Sequence, residues 1–138
     1  MKHYAFRSTY GTDLRKGIED YCLNKGIKAA AIVTCVGCVY KARLRLADGK
    51  TVEDFDEHYE IVSLTGTISR NGSHMHISLA DDCGKVIGGH LVYGNFINTT
   101  AEVVLEALDD EYEFTREYDE ATGYDELVVT KRALFISQ

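Results

Sequence analysis

Between residues 73 and 79 the chain reads Ser-His-Met-His-Ile-Ser-Leu, with polar and apolar side chains in near-perfect alternation. Successive side chains of an extended strand point to opposite faces. The order therefore specifies a half-buried strand with Met75, Ile77 and Leu79 toward a core and His74, His76 and Ser78 away from it. Asn71-Gly72, just upstream, is a strong hairpin turn signal. Beyond the turn Asp81-Asp82-Cys83-Gly84, a second run puts Ile87, Gly89 and Leu91 on one face and Val86, Gly88 and His90 on the other. Antiparallel pairing has to align the apolar faces, because a slip of one residue would turn them outward. His90 then falls opposite either His74 or His76, and in both registers the three imidazoles share one face, with Gly88 leaving space beside them.

Three of the five histidines thus lie within seventeen residues, on paired strands. Neighbouring strands about 4.8 Å apart, and alternate residues about 6.8 Å apart, let imidazoles close around a metal with bonds near 2.1 Å. Three neutral histidines with a fourth position open suit zinc, or less selectively copper, nickel or iron. Exposed, interface-packed or merely hydrogen-bonded histidines are the alternative. His3 and His58 have no comparable arrangement. Cys35 and Cys38 have CxxC spacing but no second CxxC and no helix start of the thioredoxin kind, so buried structural thiols are expected. Cys83, in the turn between the histidines, is placed to approach the cluster. Asp109-Asp110-Glu111 reads as a solvated acidic loop, and no Ser-His-Asp or Cys-His constellation is assignable.

The remaining punctuation comes from glycine, for the chain has no proline. Residues 4–8 suit a strand. Thr12 or Asp13 can cap a helix in which Leu14, Ile18, Tyr21 and Cys22 recur at helical spacing, and Gly26 can end it. Residues 27–36 read as a buried strand, with Gly37 separating it from a second strand through Leu46. Asp48-Gly49 is a turn. Residues 59–68 alternate as a strand does. Residues 99–108 are balanced between helix and strand, with strand favoured. Residues 112–118 and 127–129 are short strands around a turn at Thr122-Gly123.

At 138 residues the chain suits one domain with a core of its own, and 45% hydrophobic with 27% charged residues excludes a disordered chain. Its longest nearly apolar run is far shorter than the roughly 20 residues of a membrane span. The N-terminus lacks a signal-peptide core, so a cytoplasmic location and free thiols are expected. A net charge of -7 opposes general affinity for phosphate backbones. Lys41, Arg43 and Arg45 nevertheless alternate along a strand, as a solvated face or a small basic stripe.

The order Gly26-Ile27-Lys28-Ala29-Ala30, Gly37, Ala42-Arg43-Leu44-Arg45 and Tyr59-Glu60-Ile61-Val62-Ser63-Leu64-Thr65-Gly66-Thr67 resembles the plant and prokaryote conserved (PPC, DUF296) domain. His74-Met75-His76-Ile77-Ser78-Leu79, Gly84, Gly88-Gly89-His90 and Thr100-Ala101-Glu102-Val103-Val104 continue the resemblance over most of the chain. The resemblance implies an α+β fold, a bent antiparallel sheet with one packed helix, as a single PPC-like domain over residues 1–138. It also implies a homotrimer and a metal set at His74, His76 and His90 near subunit contacts. Plant members add AT-hooks and bind DNA, but a chain without proline cannot carry an Arg-Gly-Arg-Pro hook, which leaves DNA association to family analogy alone. The expectation is a stand-alone, cytoplasmic, homotrimeric zinc-binding or regulatory module, with a small-molecule ligand open to it. Its rival is a zinc-dependent enzyme with Arg43 or Glu102 beside the metal.

Overall fold

The computed structural model describes residues 2–133. Nine strands and one helix form among the described residues: β1 (Lys2–Thr9), α1 (Leu14–Lys25), β2 (Ala29–Arg45), β3 (Val52–Phe55), β4 (Tyr59–Ser69), β5 (Gly72–Ala80), β6 (Val86–Leu91), β7 (Phe96–Ala107), β8 (Tyr112–Asp119) and β9 (Tyr124–Lys131). The fold is mostly β, with antiparallel sheets and one short helix, and is more β-rich than the expected α+β label implies. The ambiguous segment 99–108 is strand, leaving α1 as the one α-helix among the described residues. The acidic β3 gave no alternation to read.

The larger sheet has seven strands in the order β1-β7-β2-β4-β5-β6, with β3 added on β2. β2 also pairs with β6, Leu44 opposite Leu91 and Arg45 opposite His90. The path from β2 through β4, β5 and β6 therefore returns to β2, and the bent sheet closes on itself. A strand of 17 residues can serve so many partners only by bending, and its register against β7 shifts at Ile32/Thr34, Gly37/Cys38 and Val39/Lys41. Gly37 accordingly marks one of these irregularities and does not separate two strands. A Cβ there would lie 2.8 Å from Ala101 Cα and from the Thr100 carbonyl carbon, so the missing side chain is what lets β7 approach.

Leu44, Met75, Ile77, Leu79, Leu91, Ile97, Val103 and Leu105 fill the interior. α1 contributes Leu14, Ile18 and Cys22. Its start is fixed by Asp13, whose carboxylate accepts from Lys16 N at 2.9 Å, and its end by Gly26 in the left-handed region at φ 69°. The Tyr21 ring stacks on Phe6 with centroids 3.9 Å apart, tying the helix to β1.

β8 and β9 form a separate two-stranded sheet. The Asn71 amide clamps it, accepting from Arg116 N at 2.7 Å and donating to Arg116 O at 2.9 Å, while Arg70 N donates to Phe114 O at 3.1 Å. The Asn-Gly turn that opens β5 thus also holds a distant hairpin. Among the described residues no helix is long and apolar enough to cross a membrane.

Candidate metal centre

The strand carrying the histidines adopts the expected parity: Met75, Ile77 and Leu79 are buried, and His76 is exposed on the opposite face. Of the two registers the sequence allowed, the structure adopts the one that sets His76 opposite His90. His74 and His90 are half-buried on the same face. The three rings have centroids 4.8 Å (His74 and His76), 5.2 Å (His74 and His90) and 5.5 Å (His76 and His90) apart. One ring nitrogen from each falls within 4.8 Å of the others.

His74 Nε2 and His76 Nε2 lie 3.1 Å apart. Bonds of about 2.1 Å at a tetrahedral ion put ligand nitrogens roughly 3.4 Å from one another, so this spacing is close to that of two ligands on one metal. His90 Nδ1 is buried and has no hydrogen-bond partner. Leaving such a group unpaired costs about 1–3 kcal/mol, which a ligated ion or an ordered water would offset. The donor set fits a divalent transition metal on both grounds.

The surroundings of His74 and His90 favour the neutral imidazole. Burial, then the Arg45 guanidinium, then His74 and His76 lower the His90 pKa to about 4. His74 is lowered by burial first, then by His76 and Arg116, with Glu126 opposing them. Neutral imidazole is the form that ligates, so at neutral pH neither ring has to shed a proton to accept a metal.

Around the triad the structure replaces the neighbours expected from sequence. Arg43 turns away, its Nε and Nη2 donating to the Asp54 carboxylate at 2.9 and 3.2 Å. Glu102 sits on β7, in register with Arg7 and Val36. The arginine beside His90 is Arg45, delivered by the closure of β2 on β6. Arg116 of β8 and Arg15 of α1 line the same cleft as His74 and His90. No local pattern marks Arg15 or Arg116 as site residues, since they arrive from a helix and a hairpin far away in the chain.

Other candidates separate from the centre. Cys83 lies at the far end of the β5–β6 hairpin, about 13 Å along the strand from His76 by strand rise, and the Asp81 carboxylate beside it accepts from Cys83 N and Lys85 N as a turn former. Cys35 is buried in the core, with its thiol pushed up to about 11 by that burial, while the Cys38 thiol donates to Asn98 O at 2.9 Å. All four cysteines are free. Of the CxxC pair, Cys35 is buried as expected and Cys38 is half-buried, while Cys83 is exposed. Lys41 and Arg43 are neutralised by Asp56 and Asp54 at 3.8 and 2.9 Å, so the basic stripe offers Arg45 alone as an unpaired charge.

One buried polar residue went unread in the sequence. Asn95, fully buried, donates to Arg43 O at 2.9 Å and Val92 O at 2.7 Å and accepts from Arg43 N at 3.0 Å. It fastens the loop after β6 to β2 two residues before Arg45, and so supports the edge of the centre.

The chain is 40% identical over 135 residues to the bifunctional protein GlmU of Synechococcus sp. (strain JA-3-3Ab), a match covering 96% of this chain and 21% of that protein. It spans about a fifth of the length of the curated relatives it matches. A hypothetical protein from Salmonella superposes with a TM-score of 0.90 at 30% identity, covering 96% of this chain and 95% of that one. A metal-containing protein from Archaeoglobus fulgidus superposes with a TM-score of 0.76 at 32% identity, covering 93% and 94% of the two chains. Residues 1–109 match the Plants and Prokaryotes Conserved domain. With most of its length inside that match, the chain belongs to the Plants and Prokaryotes Conserved (PCC) domain family.

Proposed function

We propose that this protein is a metal-binding module in which His74, His76 and His90 hold one zinc ion per chain, acting in binding or regulation. The observation that carries the reading is the convergence of three imidazoles from two paired strands onto one point, with nitrogens 3.1 Å apart in one pair. Zinc is favoured by an all-imidazole set, and another divalent transition metal fits it less selectively. Similarity to a metal-containing protein from Archaeoglobus fulgidus supports the same reading. Occurrence of the matching segment inside a much longer bifunctional protein supports a module, a unit that can be joined to others. The domain as a whole is taken to assemble as a homotrimer, in a cytoplasmic setting suited to its free thiols.

A second reading, a zinc-dependent enzyme, has one observation in its favour: the triad opens on a cleft lined by Arg15, Arg45 and Arg116. A metal with an open position would supply Lewis-acid polarisation or an activated water. DNA association ranks last, because Lys41 and Arg43 are already paired with carboxylates and the chain is acidic.

Metal analysis of untagged protein tests the principal reading. About one metal per chain is expected after loading, with the content of His76→Ala and His90→Ala falling to a small fraction. A wild-type protein that takes up no metal after loading sinks the site.

A further inference from the structure

Four buried side-chain nitrogens among the described residues have no hydrogen-bond partner: Arg15 Nε, Arg45 Nε, Arg116 Nε and His90 Nδ1. All four residues line one cleft of about 380 Å³. Buried polar groups are ordinarily hydrogen-bonded, so a concentration of such nitrogens in a single cleft is unusual. The three arginines come from α1, β2 and β8, elements that share no local sequence signal. Their guanidiniums are held in place without using up their donors. Arg15 lies 4.4 Å over the Tyr93 ring and donates through Nη1 to Leu91 O at 3.3 Å, Arg45 lies 5.7 Å from the Tyr124 ring centroid, and Arg116 donates through Nη2 to Thr67 Oγ1 at 3.0 Å.

Carboxylates are present as well. Glu19 Oε2 lies 3.5 Å from Arg15 Nε as an ion pair, and the two Glu19 oxygens also accept from the Ser73 and Tyr93 hydroxyls. Asp125 and Glu126 line the cleft and, together with Glu19 beside Arg15, balance the three guanidiniums in charge. A divalent ion on the histidines would leave the cleft with two net positive charges. Guanidinium forks match planar carboxylates and phosphate oxygens in pairs, which a water or a neutral ligand cannot exploit as fully.

We infer that this cleft is the binding site for a small oxyanion-bearing ligand, a phosphate or carboxylate group held by Arg45 and Arg116, with Arg15 at its border and one oxygen directed to the metal centre. This deepens the reading of the histidines as a metal site and rests on it for the metal contact, while the arginine contacts stand without it. Arg116, Tyr124 and Glu126 lie on the β8–β9 hairpin, beyond residues 1–109 that match the family. The anion-binding wall therefore draws on the C-terminal hairpin, a segment also spanned by the Salmonella protein, whose match covers 96% of this chain.

Titration calorimetry with inorganic phosphate and, separately, succinate tests the inference, with metal content measured on every sample. Zinc-loaded wild type is expected to bind one anion per chain, and the tighter of the two probes identifies the class. Arg45→Gln and Arg116→Gln should retain the metal, keep the wild-type melting temperature within a few degrees and lose tenfold or more in anion affinity. Arg45→Lys and Arg116→Lys, which keep the charge but not the fork, serve where a glutamine variant does not fold, and they should lose severalfold. Metal-stripped wild type should also bind at least tenfold more weakly. If no metal loads but the anion binds and the arginine variants still lose it, the metal reading fails and the anion cleft stands. No binding of either anion to zinc-loaded protein, or equal binding by the arginine variants, overturns the inference.

Discussion

His90 shows how one residue couples burial, charge and ligand chemistry. Its pKa lies near 4, well below the 6.5 of an exposed histidine, because burial and Arg45 both penalise the imidazolium. As the pH falls below 6.5 the unfolded chain takes up this proton before the folded one does. The stability tied to His90 is therefore complete above pH 6.5 and is lost as the pH drops toward 4. The metal-free protein should melt on the order of 5 °C lower at pH 5 than at pH 7 through this group, and His90→Gln should flatten that dependence in thermal scans at the two pH values. An equal dependence in the variant would show that other groups govern it. His90 was legible as a ligand candidate because strand parity needs only sequence. The lowered pKa was not legible, because its second cause, Arg45, is 45 residues away in the chain and adjacent only through the β2–β6 pairing.

At the scale of elements, the site depends on how closely β4 and β5 approach. Gly66 stands opposite Met75, and a Cβ added there would meet Met75 Cγ and lie 2.6 Å from His74 O. Backbone cannot give way as a flexible side chain can, so Gly66→Ala should push β5 outward at His74. Overpacking of this kind costs about 1–3 kcal/mol. The expected result is a lower denaturation midpoint together with roughly tenfold weaker zinc binding in a competition titration with a chromogenic chelator. Unchanged zinc affinity would mean that the centre does not need this strand spacing. The β5–β6 hairpin itself was readable, since an Asn-Gly turn, an acidic turn and alternating faces are local signals. The long β2 was not, because Gly37 looks like punctuation until β7 is seen running beside it.

For the whole molecule, the outward face of the bent sheet bears on assembly. Val36 and Val62 are 56% and 58% exposed, and they flank Gly37 and Ile61, which pair across β2 and β4. Exposed Val33 adds to the apolar surface on β2. Apolar surface on a sheet face is a common site of association, and the proposed trimer gives it a partner. Light scattering on eluting protein should return three times the chain mass for wild type and a lower mass for a Val36→Glu, Val62→Glu double variant. A wild type that elutes as a monomer across concentrations from micromolar upward would remove the trimer from the account.

What the sequence determined by itself was the set of local choices: the alternation that made 73–79 a strand, the turns on either side of it, the cap and stop of α1, and the three histidines on the noncore face. These follow from side-chain direction and turn chemistry, which act over a few residues. Which of two registers the hairpin takes, whether 99–108 is strand, and how far β2 runs were decided by pairing with strands distant in the chain. The tertiary structure alone turned Arg43 toward Asp54 and brought Arg45, Arg15 and Arg116 to the histidines. Closure of the sheet and docking of the hairpin are long-range events, and a charge acquires its neighbours only once they have occurred.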